Sequence, residues 1–349
     1  MVTLGVDAHK RSHTIVAADQ QGRQVGQVTV RATSAGHLRA LGWASQWPER
    51  TWAIEDCRHL SRRLERELLG AGEQLVRVPP KLMAGARRGA RTRGKSDPID
   101  ALAVARAALR EPGLPVAQLE GAEREVRLVC DHREDLVAER TRIQNRLRWH
   151  LHELEPGWEI PAGALDRAVW LEAVTARLAA HQGIVAELAG ELVARCRELT
   201  ARVKELERRL DQMVAPLTPS LRGLAGCGPL TAAKLVAETA GVGRFRSRAA
   251  FAMHNGTAPI PVWSANRERH RLNRGGNRQL NAALHRIAVT QLRLDGAGRA
   301  YYQRRIGAGD TKTEAIRALR RRISDEVYRR LGIDQRQRHT QPTCLLPAA

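Results

Sequence analysis

The hydrophobic pattern changes period along the chain and divides it into three parts and a tail. Residues 1–118 carry short apolar runs of strand length bounded by turn residues. Val2–Val6 and His13–Asp19 are rich in Val, Ile and Ala, and the turn Gln20-Gln21-Gly22 leads to Gln24–Val30, whose character alternates. Ser34 is placed to cap a helix reaching about Trp47. Thr51–Ile54 is a fourth strand, His59–Leu69 an amphipathic helix, and Gln74–Val78 a fifth strand stopped by Pro79-Pro80. Three antiparallel strands followed by alternating helices and strands is the order of a ribonuclease H-like sheet, so an α/β domain is expected here.

From residue 119 to 215 the period lengthens to that of helices. Val129, Leu136 and Ile143, then Leu147 and Leu154, keep a spacing near seven until Glu155-Pro156-Gly157. After Pro161-Ala162-Gly163, Cys196, Val203 and Leu210 form one heptad column, and Leu199, Leu206 and Met213 the other. Two long helices joined by a Pro/Gly turn predict an antiparallel coiled-coil arm, a spacer or subunit-pairing element. Residues 216–335 read as a basic, mostly helical DNA-binding domain. In it Leu221–Leu224, Gly226-Cys227-Gly228-Pro229 and a helix over Thr231–Glu238 match a helix-hairpin-helix, whose turn amides can face a phosphate. A simple helix-capping turn fits the same residues. Residues 336–349 read as an irregular tail.

Charge adds a partner. Lys and Arg number 58 against 37 Asp and Glu, a net charge of +21. Such an excess favours a polyanion, because each neutralised phosphate releases condensed counterions. A coding bias can replace Lys by Arg, but it does not create an excess of base over acid. Between residues 81 and 95 lie Lys81, Arg87, Arg88, Arg91, Arg93 and Lys95 with no acid, interspersed with Gly85, Gly89 and Gly94. This segment reads as a strand-contacting loop, with a solvated connection as the plainer alternative.

Several classes are disfavoured. Met1–Asp7 lacks the basic-then-apolar pattern of a signal peptide, and no apolar run approaches the roughly 20 residues needed to span a bilayer. The five cysteines are odd in number, with no pair at C-x-x-C spacing. A cytoplasmic protein without membrane, disulfide or zinc chemistry is expected.

Four carboxylates carry the candidate chemistry. Two-metal phosphodiester chemistry needs hard oxygen ligands converging on one point. Asp7 follows the first strand, next to His9 and Lys10, and Glu55 ends the fourth, which the predicted order sets beside the first. Asp97 and Asp100, in Ser96-Asp97-Pro98-Ile99-Asp100-Ala101, are three apart at the start of a helix and share a face. Each also has a structural reading. Asp97 before Pro98 suits an N-cap and Asp100 a capping box, Glu55 can be a surface acid beside Asp56, and Asp7 a turn acid.

Gly5-Val6-Asp7-Ala8-His9-Lys10, the strand-end Glu55 and Lys95-Ser96-Asp97-Pro98-Ile99-Asp100-Ala101 resemble the DEDD transposases of the insertion-sequence 110 family, and the resemblance extends over nearly the whole chain. Where the family often has Glu-Ser-Thr-Gly-like residues, this chain has Glu55-Asp56-Cys57-Arg58. The resemblance implies a RuvC-like domain of ribonuclease H type, a coiled coil and a separate transposase domain. It implies Mg²⁺ held by Asp7, Glu55, Asp97 and Asp100. It also implies a serine nucleophile, Ser264, in the stretch Gly256–Ser264 that precedes Arg267, Arg269, Arg271 and Arg274, whose charges can hold a scissile phosphate. Further implied are a non-coding guide RNA from the element and a dimer or tetramer whose half-sites come from different subunits. From composition alone Ser264 is a loop serine, and its rival Ser247 suits a helix N-cap. Two other functions fit the same residues: a Mg²⁺-dependent junction-resolving nuclease without a covalent serine step, and an architectural nucleic-acid binder.

Overall fold

The computed structural model describes residues 1–79, 82–83, 96–111, 113–114, 116–117, 121–264 and 267–340. The chain divides into two compact units, residues 1–120 and 121–349.

In the first unit the apolar runs become strands β1 (Val2–Ala8), β2 (Ser12–Ala18), β3 (Gln24–Arg31), β4 (Arg50–Glu55) and β5 (Leu75–Val78). They form one sheet in the order β3-β2-β1-β4-β5. β1 pairs antiparallel with β2, and β2 with β3, whereas β4 lies parallel to β1 and β5 parallel to β4. This is the ribonuclease H-like order that the sequence predicts.

Both faces of the central strands are covered, which is why β1 reads as an apolar run rather than an alternation. Leu4, Val6, Ile15, Trp52 and Ile54 pack with residues of helices α1 (Ser34–Ala44) and α2 (Arg58–Gly70) on one face. On the other, Ala53 and Val78 pack with Ala103, Val104 and Ala107 of helix α3 (Asp97–Arg110). Two local expectations change. The cap of α1 is Thr33, whose side chain accepts from the Gly36 amide, and Ser34 is the first helical residue, its hydroxyl donating to Glu67. The helix ends at Ala44 rather than Trp47, and Trp43 and Trp47 instead meet edge to face.

The second unit starts with α4 (Ala122–Leu154) and contains α5 (Ala168–Leu178) and α6 (Ile184–Val214). α4 and α6 run antiparallel, as the cross-links Arg133–Glu207, Arg140–Thr200 and Arg195–Glu139 show by their falling partner numbers. The heptad residues Cys196, Leu199, Val203, Leu206 and Leu210 are buried. The connection between the long helices is not a bare turn. Its helix α5 brings Leu171, Val174 and Leu178 onto Leu147, Leu151, Ala189 and Val193, closing a separate small core.

At its other end the helical pair runs into the core of the C-terminal part. Val126, Cys130, Leu210 and Val214 pack there with α8 (Pro229–Thr239), α9 (Arg248–Asn255), α10 (Arg278–Arg293) and α12 (Lys312–Thr340). A short helix α7 (Pro219–Arg222) precedes the glycine turn before α8, and α11 (Ala297–Gly307) precedes α12. The turn expected from Gly226-Cys227-Gly228 is present, and a Cβ on Gly226, at φ +85°, would press on the Ile287 carbonyl oxygen and the Thr290 side chain of α10. Residues 336–340, expected as the start of an irregular tail, are helical. α12 continues to Thr340 because Asp334 accepts hydrogen bonds from the Ser220 and Leu221 amides and Arg338 reaches Glu123 at 2.7 Å.

Candidate active site

Alternation along β1 puts Gly5 and Asp7 on the face covered by α3. A Cβ on Gly5 would meet the Ala101 carbonyl oxygen and the Ala105 amide, so only glycine lets α3 lie this close to the sheet. One turn before Ala101, the start of α3 is thereby brought to the end of β1, where Asp7 stands. Asp97 is not the N-cap. Ser96 takes that position with extended backbone, and Asp97 is the first helical residue, half exposed, with its carboxylate oxygen 3.5 Å from His9 Nε2. Asp100, in the next positions of the same helix, is buried at 8% exposure.

His9 joins the two elements. Its Nε2 is 3.1 Å from Asp7 Oδ2 as well as 3.5 Å from Asp97 Oδ1. Among the described residues, Asp7, His9 and Asp97 form a group whose potential ligand atoms all lie within 4.8 Å of one another. Glu55 and Asp100 stand outside that close group. Glu55 is nonetheless on the same face: it follows Ala53 by two, and the parallel register Val6 to Ile54 sets it beside Asp7 on the neighbouring strand. Asp56 lies past the strand end, with its backbone amide donating to Val78.

Electrostatics mark this corner of the sheet. Burial lifts the Asp7 carboxyl above its ordinary value, His9 pulls it back, and the like charges of Asp100 and Asp97 push it up further. Cys57 is pushed up to about 11, first by burial and then by the charges of Glu55 and Asp7. A partly buried carboxylate among others of like charge is costly without a cation. His9 enters the site from the first position past β1, where its side chain turns back to Asp7. Its place two residues after Asp7 was available in the sequence, but only the position of α3 shows that His9 also meets Asp97.

The second candidate lies in the other unit. Ser264 is the last residue of strand β6 (Pro259–Ser264), which pairs antiparallel with β7 (Arg267–Leu272) in a two-stranded ribbon, with Ser264 opposite Arg267. The sequence reading has no strands here, and prolines 259 and 261 explain the omission. Proline lacks an N–H and is disfavoured in a sheet interior, yet each strand of a two-stranded ribbon has a free edge that accepts it.

The ribbon is clamped at its neck. A Cβ on Gly276 would stand 2.3 Å from the Gly256 nitrogen, so the two glycines cross at backbone distance. Around them the Asn277 amide donates to the His254 carbonyl at 2.6 Å, Asn273 Nδ2 to Met253 at 2.8 Å and Asn281 Nδ2 to Asn255 at 3.0 Å. Asn255, fully buried, is itself held by Ser324 at 2.8 Å. Ser247 is the N-cap of α9, accepting from the Ala250 amide. Arg271 and Arg274 are exposed, while Arg267 and Arg269 are placed only as strand residues. Lys81, Arg87, Arg88, Arg91, Arg93 and Lys95 lie outside the described residues.

Comparison with known proteins agrees in two places along the chain. A family model described as "Transposase", of the DEDD insertion-sequence 110 type, matches residues 4–156, which include all four candidate carboxylates. A second, described as "Transposase IS116/IS110/IS902 family", matches residues 219–303, which include the β6–β7 ribbon. The insertion element IS116 uncharacterized 44.8 kDa protein of Streptomyces clavuligerus is 27% identical over 94% of this chain and 94% of its own length. The IS900 uncharacterized 42 kDa protein of Mycobacterium paratuberculosis is 27% identical over 92% of this chain and 93% of its own. Among solved structures, Thermus thermophilus RuvC in complex with a Holliday junction substrate matches 31% of this chain and 93% of its own, at 15% identity and a TM-score of 0.25. Two models of one family matching both units, with relatives aligned along nearly the full length, place the chain in the insertion-sequence 110 family of transposases, as a DNA transposase/recombinase.

Proposed function

We propose that this transposase breaks and rejoins DNA through a covalent Ser264–DNA ester, with Asp7, Glu55, Asp97 and Asp100 holding Mg²⁺. The observation that carries the metal half is the convergence of Asp7 on β1 and Asp97 on α3 at one point, beside the buried Asp100. These residues fit a hard divalent cation. Their donors are carboxylate oxygens, and the raised carboxyl of Asp7 reflects a burial and repulsion penalty that a bound cation would offset. When bound, such a cation supplies Lewis-acid stabilisation of charge on phosphate oxygens.

The chain's own groups account for the rest. Ser264 Oγ attacks phosphorus, gives up its proton to a base, and forms a phosphoserine ester as one deoxyribose hydroxyl leaves. Attack by a hydroxyl of another DNA end reverses the step, so one ester replaces another and no external energy source is needed. Arg267, Arg269 and Arg271 on the strand that follows Ser264, and Arg274 just past its end, supply positive charge suited to holding the phosphate. The glycine and asparagine clamp holds the ribbon in one orientation, which a nucleophile requires.

The charge of +21 supports nucleic acid as the partner, with the segment from Lys81 to Lys95 contacting DNA. An element-encoded guide RNA, a dimer or tetramer sharing half-sites through the helical arm, and action in the cytoplasm complete the reading. It is tested by strand cleavage with Asp97→Asn and Ser264→Ala proteins. Loss of cleavage in both supports the reading, whereas loss in Asp97→Asn with full cleavage by Ser264→Ala selects a metal-dependent nuclease without a serine step.

A further inference from the structure

We propose that His9 is itself a ligand of the cation, so that the centre is a mixed oxygen and nitrogen site that favours Mn²⁺ over Mg²⁺ more than four carboxylates alone would. The inference rests on the carboxylate reading given above and extends it to a residue outside the four acids.

The hydrogen bond and ion pairs that His9 makes place its ring nitrogen where a shared cation would sit. His9 is the first residue past the end of β1, and its Nε2 sits between two carboxylates from different elements, 3.1 Å from Asp7 on the strand and 3.5 Å from Asp97 on the helix. In an octahedral site with metal–ligand bonds near 2.1 Å, neighbouring donors stand about 3 Å apart. The two spacings from His9 Nε2 are close to that value, and all three donor atoms lie within 4.8 Å of one another, so small side-chain adjustments bring them onto one ion. His9 and Asp97 are each about half exposed while Asp7 is 13% exposed. The group thus has a closed side on the sheet and an open side toward solvent, leaving positions for water or a phosphate oxygen.

Donor type sets the metal preference. Mg²⁺ is a hard ion that takes oxygen and gives up water reluctantly, whereas imidazole suits first-row transition metals better. Mn²⁺ accepts the same carboxylates and tolerates the nitrogen better than Mg²⁺ does, and it is also a spectroscopic probe.

The test uses the full-length protein and Mn²⁺ alone, without DNA or turnover. Mn²⁺ affinity is measured by titration, with Mg²⁺ competition, and the ligand set by pulsed paramagnetic resonance for nitrogen coupling to bound Mn²⁺. Wild-type protein should show imidazole nitrogen coupling. His9→Ala should lose it and bind Mn²⁺ about tenfold or more weakly. His9→Asp should recover binding without the nitrogen coupling and with a narrower gap between Mn²⁺ and Mg²⁺. Absence of nitrogen coupling in the wild type, or unchanged coupling and affinity in His9→Ala, would overturn the assignment of His9. Asp7→Asn separates the two claims, because tight Mn²⁺ binding by that variant would sink the carboxylate centre itself.

Discussion

A Cβ placed on Gly5 would stand 2.1 Å from the carbonyl oxygen of Ala101, so β1 and α3 touch backbone to backbone where the carboxylates meet. This one contact decides how far Asp97 and Asp100 are from Asp7. Gly5→Ala should therefore push α3 off the sheet, at a cost of about 1–3 kcal/mol for overpacking. It should weaken divalent-cation binding at the same time. Urea unfolding and Mn²⁺ titration of the variant check both, and unchanged cation affinity would show that α3 does not set the site.

Asp7 works against the fold that holds it. Its carboxyl is raised by burial and by Asp100 and Asp97, so the folded state holds its proton more tightly than the unfolded chain does. The sign follows: stability falls as pH rises from the ordinary value of 3.8 through the raised one, and the penalty persists at neutral pH. Asp7→Asn should melt higher than wild type in the absence of divalent cations and gain little when Mn²⁺ is added. Scanning calorimetry with and without Mn²⁺ reads this directly, and a lower melting point for cation-free Asp7→Asn would refute it.

His13 gives a second, opposite dependence on pH. It is buried on the other face of the sheet, stacked on His37 at 5.2 Å, and lowered to about 4 by burial, with the neighbouring charges of His37 and His9 adding to the shift. The unfolded chain takes up this proton near 6.5, so stability is fully present above that pH and is lost as pH falls toward about 4. The loss is on the order of 3 kcal/mol at most. Hydrogen exchange at β2 amides should speed up across that window in wild type and respond less in His13→Phe. An equal response in both proteins would exclude His13 as the source.

The ribbon neck should matter for chemistry more than for folding. Gly276→Ala puts a methyl 2.3 Å from the Gly256 nitrogen and must shift β6 and β7. A displacement of about 1 Å can cost roughly a hundredfold in rate when it misplaces a reacting group. Strand cleavage should fall by that order while far-UV circular dichroism, dominated by helices, stays unchanged. Wild-type cleavage by Gly276→Ala would mean that the clamp does not position Ser264.

Much of this was legible in the sequence, for reasons tied to particular residues. The five strands announce themselves because β1 and β2 are buried on both faces and so must be continuous apolar runs. The heptad columns from Cys196 to Leu210 are buried because they face α4. What was hidden depends on contacts distant in sequence or on backbone detail. Thr33 and Ser34 are both competent caps, and only the extended backbone at Thr33 chooses between them. Asp97 reads as a cap until Ser96 is seen to occupy that position. The ribbon carrying Ser264 is masked by its prolines, and α5 by the Pro/Gly turns around it. His9 is visible as a neighbour of Asp7, but its approach to Asp97, 88 positions away, depends on Gly5.

The proposed reaction turns on a serine, and not an activated water, making the first attack on DNA. Its most direct measurement is to trap the protein with cleavable DNA, digest the covalent adduct and map the modified peptide by mass spectrometry. A nucleotide ester on Ser264 is expected, absent from Ser264→Ala and from Asp97→Asn protein. An adduct on another residue, or an adduct that persists in Ser264→Ala, would contradict it.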